Sequence, residues 1–344
     1  MSEVDLVTAI IGITLALITT FCFNLGIVYQ KKGLKEAKIK GIEIKTEEGF
    51  ISLVKTFIKL FKVRSWLIGA ILGVGGWFPY IISIGMVGVL VTEPVMATGF
   101  IFFVPAAIKI LKERVGIIEY IAIGMLTISP ILIGFAGISD VDLDLYEFVP
   151  SFAIFLAISL SLCFISLTLA KKKRGRSSEG LFIMFGGAIL FALGGSATNV
   201  LAQALIQTGE GFQWYTIFEL PFGIFWFIFG GTYAHLWVFL GFWMMAVFNL
   251  SSLPYYQGGF QKGKILIMYP ILDSIALLLP IVAGLFVFRQ TFSNIYLFSI
   301  AVILSVIATI VLSKYQVAVE TMEPTKKDAD NESSQDNVLS SDKE

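Results

Sequence analysis

The chain has 344 residues, 56% of them hydrophobic, 14% aromatic and only 15% charged, with a mean hydropathy of +0.84 and a formal net charge of zero. Soluble domains carry about 25% charged residues, so this composition holds more apolar surface than one water-soluble globule can hide. Two Cys and a single His exclude a disulfide scaffold and a zinc module, and the balanced charge excludes a basic nucleic-acid binder. What remains is an all-α polytopic membrane protein.

Nine apolar runs are long enough to cross the ~30 Å hydrocarbon core as helices: about 6–29, 66–88, 92–111, 116–137, 148–170, 181–206, 222–250, 265–288 and 294–313. They are continuously apolar, without the period-two alternation of a membrane β-barrel. No basic region precedes the first run, and Lys31 and Lys32 directly follow it. That pattern predicts a permanent first helix rather than a cleaved signal. Residues 49–63 place Phe50, Leu53, Val54, Phe57, Leu60 and Phe61 on one face and Ser52, Lys55, Lys59 and Lys62 on the other. This suits a helix lying in the interface beside anionic headgroups. The tail at 315–344 is polar and predicted to be disordered, because it cannot bury enough surface to offset chain entropy.

Basic residues orient the helices. Stretches 30–65, 109–114, 171–176, 262–264 and the tail from Lys314 hold 24 of the 25 Lys/Arg, and with nine helices all five fall on one side. Only Arg289 falls on the other, where the loops carry Asp140, Asp142, Asp144, Glu147, Glu210 and Glu219. The expectation is a multi-pass cell-membrane protein with the N-terminus outside and the C-terminus in the cytoplasm.

The two parts of the chain, 1–137 and 148–313, echo one another. Glu93-Pro94 begins a helix that carries Pro105 and ends at Lys112-Glu113-Arg114; Tyr269-Pro270 begins one that carries Pro280 and ends at Arg289-Gln290. Pro105 to Arg114 and Pro280 to Arg289 are both nine residues, and Phe78-Pro79-Tyr80 matches Leu253-Pro254-Tyr255 upstream. Because the Arg114 end lies inside and the Arg289 end outside, the units are inverted, which suits alternating access.

These residues carry a resemblance. The run Leu90-Val91-Thr92-Glu93-Pro94, ahead of a Lys-Glu-Arg hairpin at Arg114, resembles the drug/metabolite transporter superfamily and its EamA-type members. Within it the chain is most similar to the NIPA magnesium transporters. The shared features are nine helices, a lysine cluster then Gly-Leu (Gln30-Lys31-Lys32-Gly33-Leu34), and Trp66 and Gly69 opening the next helix. The resemblance implies a secondary transporter built as an inverted repeat. Where NIPA members carry Gly-Glu then Asn in the second helix, this chain reads Gly75-Gly76-Trp77-Phe78-Pro79, with no carboxylate. The implied substrate is therefore a small solute or cation, with magnesium as the alternative.

Few ionisable groups lie at membrane depth, where each costs roughly 2.5–3.5 kcal/mol on insertion scales. Asp273, three residues after Pro270, sits where the proline frees a backbone carbonyl, a pairing suited to a cation or proton. The competing expectation is an interfacial acid, if the helix begins near Met268. Glu93 opens the third helix as favourable N-terminal charge or as an acid at the outer mouth. His235, read as lying well inside the seventh run, is a proton relay or a neutral hydrogen-bonding group. Asn24, Asn199 and Asn249 are helix cross-links or cavity-lining amides. Pro254-Tyr255-Tyr256-Gln257-Gly258-Gly259 reads as a break between the seventh and eighth runs, with Tyr255 and Tyr256 facing a cavity. Gly194-Gly195-Ser196-Ala197-Thr198-Asn199 reads as a close-packing face. Pro94, Pro105, Pro270 and Pro280 are the hinge candidates. Trp66 and Trp214 fit interface belts, while Trp237 and Trp243 lie deeper.

Asp140-x-Asp142-x-Asp144 lacks the glycine and closing Glu of a calcium loop. No phosphate loop, His-Glu-x-x-His or Gly-x-Ser-x-Gly is present, so neither an ATP-driven pump nor an intramembrane enzyme is expected, and no cofactor. The expected partners are the solute, the bilayer and a second copy in a homodimer; a receptor or scaffold is the distant alternative.

Overall fold

A computed structural model of the chain describes residues 6–44, 50–87, 92, 95–96, 98–113, 116–137, 144–176, 178–209, 216–289 and 292–314. The predicted tail, Glu93, Pro94, Arg114, Asp140, Asp142, Glu210 and Trp214 lie outside the described residues. Every described element is a helix: α1 (Leu6–Ile39), α2 (Phe50–Leu60), α3 (Arg64–Gly75), α4 (Trp77–Val87), α5 (Phe100–Leu111), α6 (Ile117–Ala136), α7 (Val149–Lys172), α8 (Glu179–Gln207), α9 (Thr216–Ile228), α10 (Tyr233–Lys262), α11 (Ile265–Phe286) and α12 (Ile295–Lys314). Seven of them, α1, α6, α7, α8, α10, α11 and α12, are long and apolar enough to cross a membrane. The chain is a polytopic helical membrane protein.

Two of the predicted runs are redrawn. The run 66–88 is two helices, α3 and α4, meeting at Gly76. In the run 92–111, Thr92, Val95 and Met96 are helical, and the continuous described helix runs from Phe100. The run 222–250 is divided near Gly230-Gly231, and α10 restarts after Thr232, whose hydroxyl lies 3.0 Å from His235 Nδ1 in an N-terminal cap. Gly230 has φ of +105°, a conformation that side chains rarely adopt, which is why the chain turns there. α10 then runs unbroken through Pro254 to Lys262, so the Pro254-Tyr255-Tyr256 segment is helix and not a break. α11 likewise continues through both Pro270 and Pro280.

α8 is the most buried span. Its Gly180, Gly187 and Gly194 recur every seven residues and meet Lys262, Tyr255-Tyr256 and Asn249 of antiparallel α10. A Cβ on Gly187 would stand 2.6 Å from Tyr256 N, so only hydrogen lets the backbones approach. Without a hydrophobic driving force in lipid, such small-residue contacts are the main source of helix association. α1 and α3 use the same device: a Cβ on Gly33 would stand 2.3 Å from Trp66 N.

Ends are finished by side chains. Asp144 Oδ1 accepts from Tyr146 N at 2.8 Å and Glu147 N at 3.1 Å ahead of α7. Asn294 Oδ1 accepts from Leu297 N at 3.1 Å to start α12. Amphipathic α2 is present and turns Leu53, Phe57 and Leu60 to the core and Lys55 and Lys59 to the outside. Phe61, expected on its apolar face, is exposed and packs edge-on to Trp66 at 5.0 Å.

One core gathers the lysine-rich ends of both halves, from Val28, Leu34, Trp66 and Phe103 to Phe260, Ile265 and Met268. A second core at the opposite end, including Leu145, Phe148, Val200, Trp237 and Val287, draws only on residues 145–288. A third, smaller one seams α6 to α12 through Ile133, Ala136, Phe298 and Ala301. That seam is reinforced where Ser293 N and Asn294 N donate to Gly137 O and Ala136 O, both at 2.9 Å.

Candidate solute path and gate

Two groups of polar side chains approach the start of α5. From α1, Asn24 Nδ2 donates to Thr20 O at 2.8 Å and lies 3.1 Å from Thr20 Oγ1, which itself donates to Met96 O at 2.9 Å. Both side chains press on Gly99, where a Cβ would stand 2.1 Å from Asn24 Nδ2. Nearby in the chain, Ser83 Oγ donates to Gly12 O at 2.9 Å and lies 3.0 Å from Thr92 Oγ1. From α11, Tyr269 rests on Phe100 and Phe103, with ring centroids 5.8 and 4.8 Å apart. Asp273 lies one turn further along and is half-buried. α11 begins at Ile265, not near Met268, which puts Asp273 about 12 Å along the helix at 1.5 Å per residue. Among the described residues it is the one carboxylate more than a turn from its helix end. Ser274 Oγ donates to Pro270 O at 2.6 Å, so part of this turn's carbonyl surface is already engaged.

At the lysine-rich end, polar contacts tie α1, α3 and residues 42–44 to α10 and α11. Lys31 of α1 is only 3% exposed, and its ammonium donates to Phe260 O and Gly263 O at the end of α10. The last carbonyls of a helix lack intrahelical partners and carry the negative end of its dipole, so a buried cation fits there. Gln257 Nε2 donates to Gln30 Oε1 at 2.5 Å, and Trp66 Nε1 donates to Gln257 Oε1 at 3.4 Å. Gln261 accepts from Ile44 N at 2.8 Å and donates to Ile42 O at 3.0 Å. Buried Glu113 accepts from Leu266 N at 3.2 Å, at the start of α11, and pairs with Lys35 of α1 at 3.4 Å. Glu119 accepts from Gly116 N, and Glu179 pairs with Lys262.

The opposite end carries looser electrostatics. Arg289 and Glu147 form an exposed pair at 3.7 Å. His235 Nε2 is 3.8 Å from Glu219 Oε1, both side chains buried, which pins α9 to α10. Tyr146 stacks on Tyr233 with centroids 4.2 Å apart. The Asp144 carboxyl is held below the usual carboxylate range by the N–H groups of Tyr146 and Glu147.

Of the expected path residues, Asn24 is brought to the start of α5, and Asp273 lies one turn beyond Tyr269, which packs on Phe100 and Phe103. Asn199, Asn249, Tyr255 and Tyr256 lie on α8 and α10; Asn249 and the two tyrosines pack against Gly194 and Gly187, so they serve the helix contact rather than a broken-helix cavity. Gly194 thereby fits the close-packing face expected of its segment. His235 is the third residue of α10, in its cap, not deep in a helix. Trp66 is 4% exposed, beneath Phe57 and Phe61, rather than in an interface belt, because Gln257 accepts from its indole. Trp237 is buried against Phe148 at 4.7 Å, and the more exposed Trp243 donates to Pro221 O at 3.1 Å. Pro105, Pro270 and Pro280 sit inside intact helices.

The polar join at the lysine-rich end is not evident from the sequence. Its only sequence signals are Lys31 placed before Gly33 and the four-residue spacing of Gln257 and Gln261 on one helix face. Among the described residues no group of three or more His, Cys, Asp or Glu gathers as a metal cage. Comparison with protein-family models, curated proteins and solved structures found no match.

Proposed function

We propose that the chain is a secondary transporter of the drug/metabolite-transporter type, moving a small solute or cation by alternating access between two inverted halves. The observation that carries this reading is the asymmetry of the joins. At the lysine-rich end α1, α3 and residues 42–44 are clasped to α10 and α11 by Lys31, Gln30, Gln257, Gln261 and Glu113 over a shared core. At the other end the second half keeps a core of its own. A join made of a few polar contacts can open while each half stays folded, and it biases a two-state element in the way a gate must.

In this reading nine spans are α1, α3 with α4, the segment ending in α5, then α6, α7, α8, α10, α11 and α12. Helices α2 and α9 are the off-pattern members of each half. The lysine-rich end is cytoplasmic by the distribution of basic residues, so the state described is the one closed to the cytoplasm. Paired details support the inversion. α1–α3 and α8–α10 are both glycine contacts. α5 and α11 both carry an internal proline and both end near a residue of left-handed φ, Lys112 at 55° and Arg289 at 51°. Those are the only non-glycine residues of positive φ among the described residues.

Among the described residues Asp273 is the carboxylate placed to match the solute's charge. That suits a neutral metabolite, a monovalent organic cation, or a magnesium ion that keeps most of its waters. Counterflow into proteoliposomes preloaded with each class tests this. Saturable uptake of at least one solute is expected, and Asp273→Asn should slow uptake of a cation roughly tenfold, the effect of ~1.4 kcal/mol. No saturable flux and no solute-dependent thermal shift across the set would overturn the transporter reading.

A further inference from the structure

We propose that the groove between α8, α11 and α12 is a binding site for one anionic phospholipid of the leaflet at the lysine-rich end. The groove has a volume of about 310 Å³ and is lined by Phe185, Leu278, Val306, Ile310, Thr309 and Ser313, with Lys314 at its mouth. Its wall is almost wholly apolar for a physical reason. Ser313 Oγ donates to Thr309 O, and Thr309 Oγ1 donates to Ser305 O, both at 2.7 Å, so these hydroxyls are turned back onto their own helix. The trough is left suited to hydrocarbon.

Length and charge choose the occupant. From Lys314 to Val306 is eight residues, about 12 Å along α12 at 1.5 Å per residue. That is most of one leaflet's share of the ~30 Å hydrocarbon core, the reach of a single acyl chain. Exposed Lys314 stands where that chain's headgroup would lie, and an ammonium there attracts a phosphate that carries net negative charge. A neutral lipid would fill the trough without using Lys314. A helix from a second copy, about 10 Å across over the same length, needs far more room than 310 Å³. The proposal does not depend on what the protein transports.

The test is native mass spectrometry of the intact protein released from bilayers of equal phosphatidylcholine and phosphatidylglycerol. The expected result is one retained phospholipid per chain with about a fivefold preference for phosphatidylglycerol, the ratio one interfacial lysine supplies. Lys314→Gln should abolish the preference and Lys314→Arg should keep it. Ile310→Trp, at a half-exposed position, should empty the groove of either lipid. Equal retention of the two lipids by the native protein, an unchanged preference in Lys314→Gln, or undiminished lipid in Ile310→Trp would each overturn the assignment.

Discussion

Replacing Lys31 with Met removes the cation from the end of α10 while keeping an unbranched side chain of similar length. The ammonium makes two charge-assisted hydrogen bonds, to Phe260 O and Gly263 O, each of a kind that contributes about 1.5–3 kcal/mol. Burying a charge costs part of that back, so the net loss to the closed arrangement is about 2–3 kcal/mol. Such a loss shifts the ratio of closed to open molecules roughly 30- to 150-fold. The assay is labelling of a Leu34→Cys reporter by a water-soluble maleimide, in a background carrying Cys22→Ala and Cys163→Ala. Leu34 is fully buried in the core shared by the two halves, so the reporter reacts only when the gate opens. Lys31→Met should raise the labelling rate by at least an order of magnitude at unchanged helix content, and Lys31→Arg should raise it less. A fall in melting temperature with no change in labelling would refute the reasoning, because Lys31 would then simply hold the fold together.

Further outcomes follow from the packing and from the end caps. Gly187→Ala sets a methyl 2.6 Å from Tyr256 N and should destabilise the protein by about 1–3 kcal/mol, whereas Gly124→Ala meets nothing within 4 Å and should be neutral or slightly stabilising in thermal denaturation. Asp144 has its folded pKa depressed by the Tyr146 and Glu147 N–H groups. Its contribution to the turn before α7 is thus complete above the ordinary carboxylate value of about 4 and is lost as pH falls through the lower folded value. Hydrogen exchange at the amides of Tyr146 and Glu147 should accelerate only in that acid window, beyond the intrinsic trend, and Asp144→Asn should flatten the dependence. Asp273→Asn should slow cation uptake and leave a neutral solute's uptake near the native rate; equal loss for both would assign Asp273 to structure.

What could be read from residues alone was governed by hydropathy, a property of local composition. Spans such as α7, α11 and α12 are continuous apolar runs with charged or glycine ends, so their positions were legible. The division of run 222–250 was not, since Gly230-Gly231-Thr232 is short and averages out among Phe229, Tyr233 and their neighbours. Pro254 misled in the opposite direction: in a bundle, neighbouring groups compensate the lost hydrogen bond, so a proline marks no end. The undivided run also misplaced His235: read as deep in a helix, it is a buried cap residue that meets Thr232 and lies beside Glu219. The gate was illegible for a different reason. Lys31 and Phe260 are 229 residues apart, and nothing local distinguishes a lysine that caps a distant helix from one that faces headgroups. Asp273 was legible as rare charge, but its distance from the helix end required knowing where α11 begins.

The central claim is that the lysine-rich end opens as the other end closes. Paired distance measurements by electron spin resonance test it most directly, with labels at Lys40→Cys and Lys172→Cys across the lysine-rich end, and at Val7→Cys and Ile206→Cys across the other. All four positions are exposed. The account predicts two populations at each end whose proportions move in opposite directions when Lys31→Met is introduced: longer distances grow at the lysine-rich end while shorter ones grow at the opposite end. Single, unchanged distances at both ends in the native and Lys31→Met proteins would contradict it.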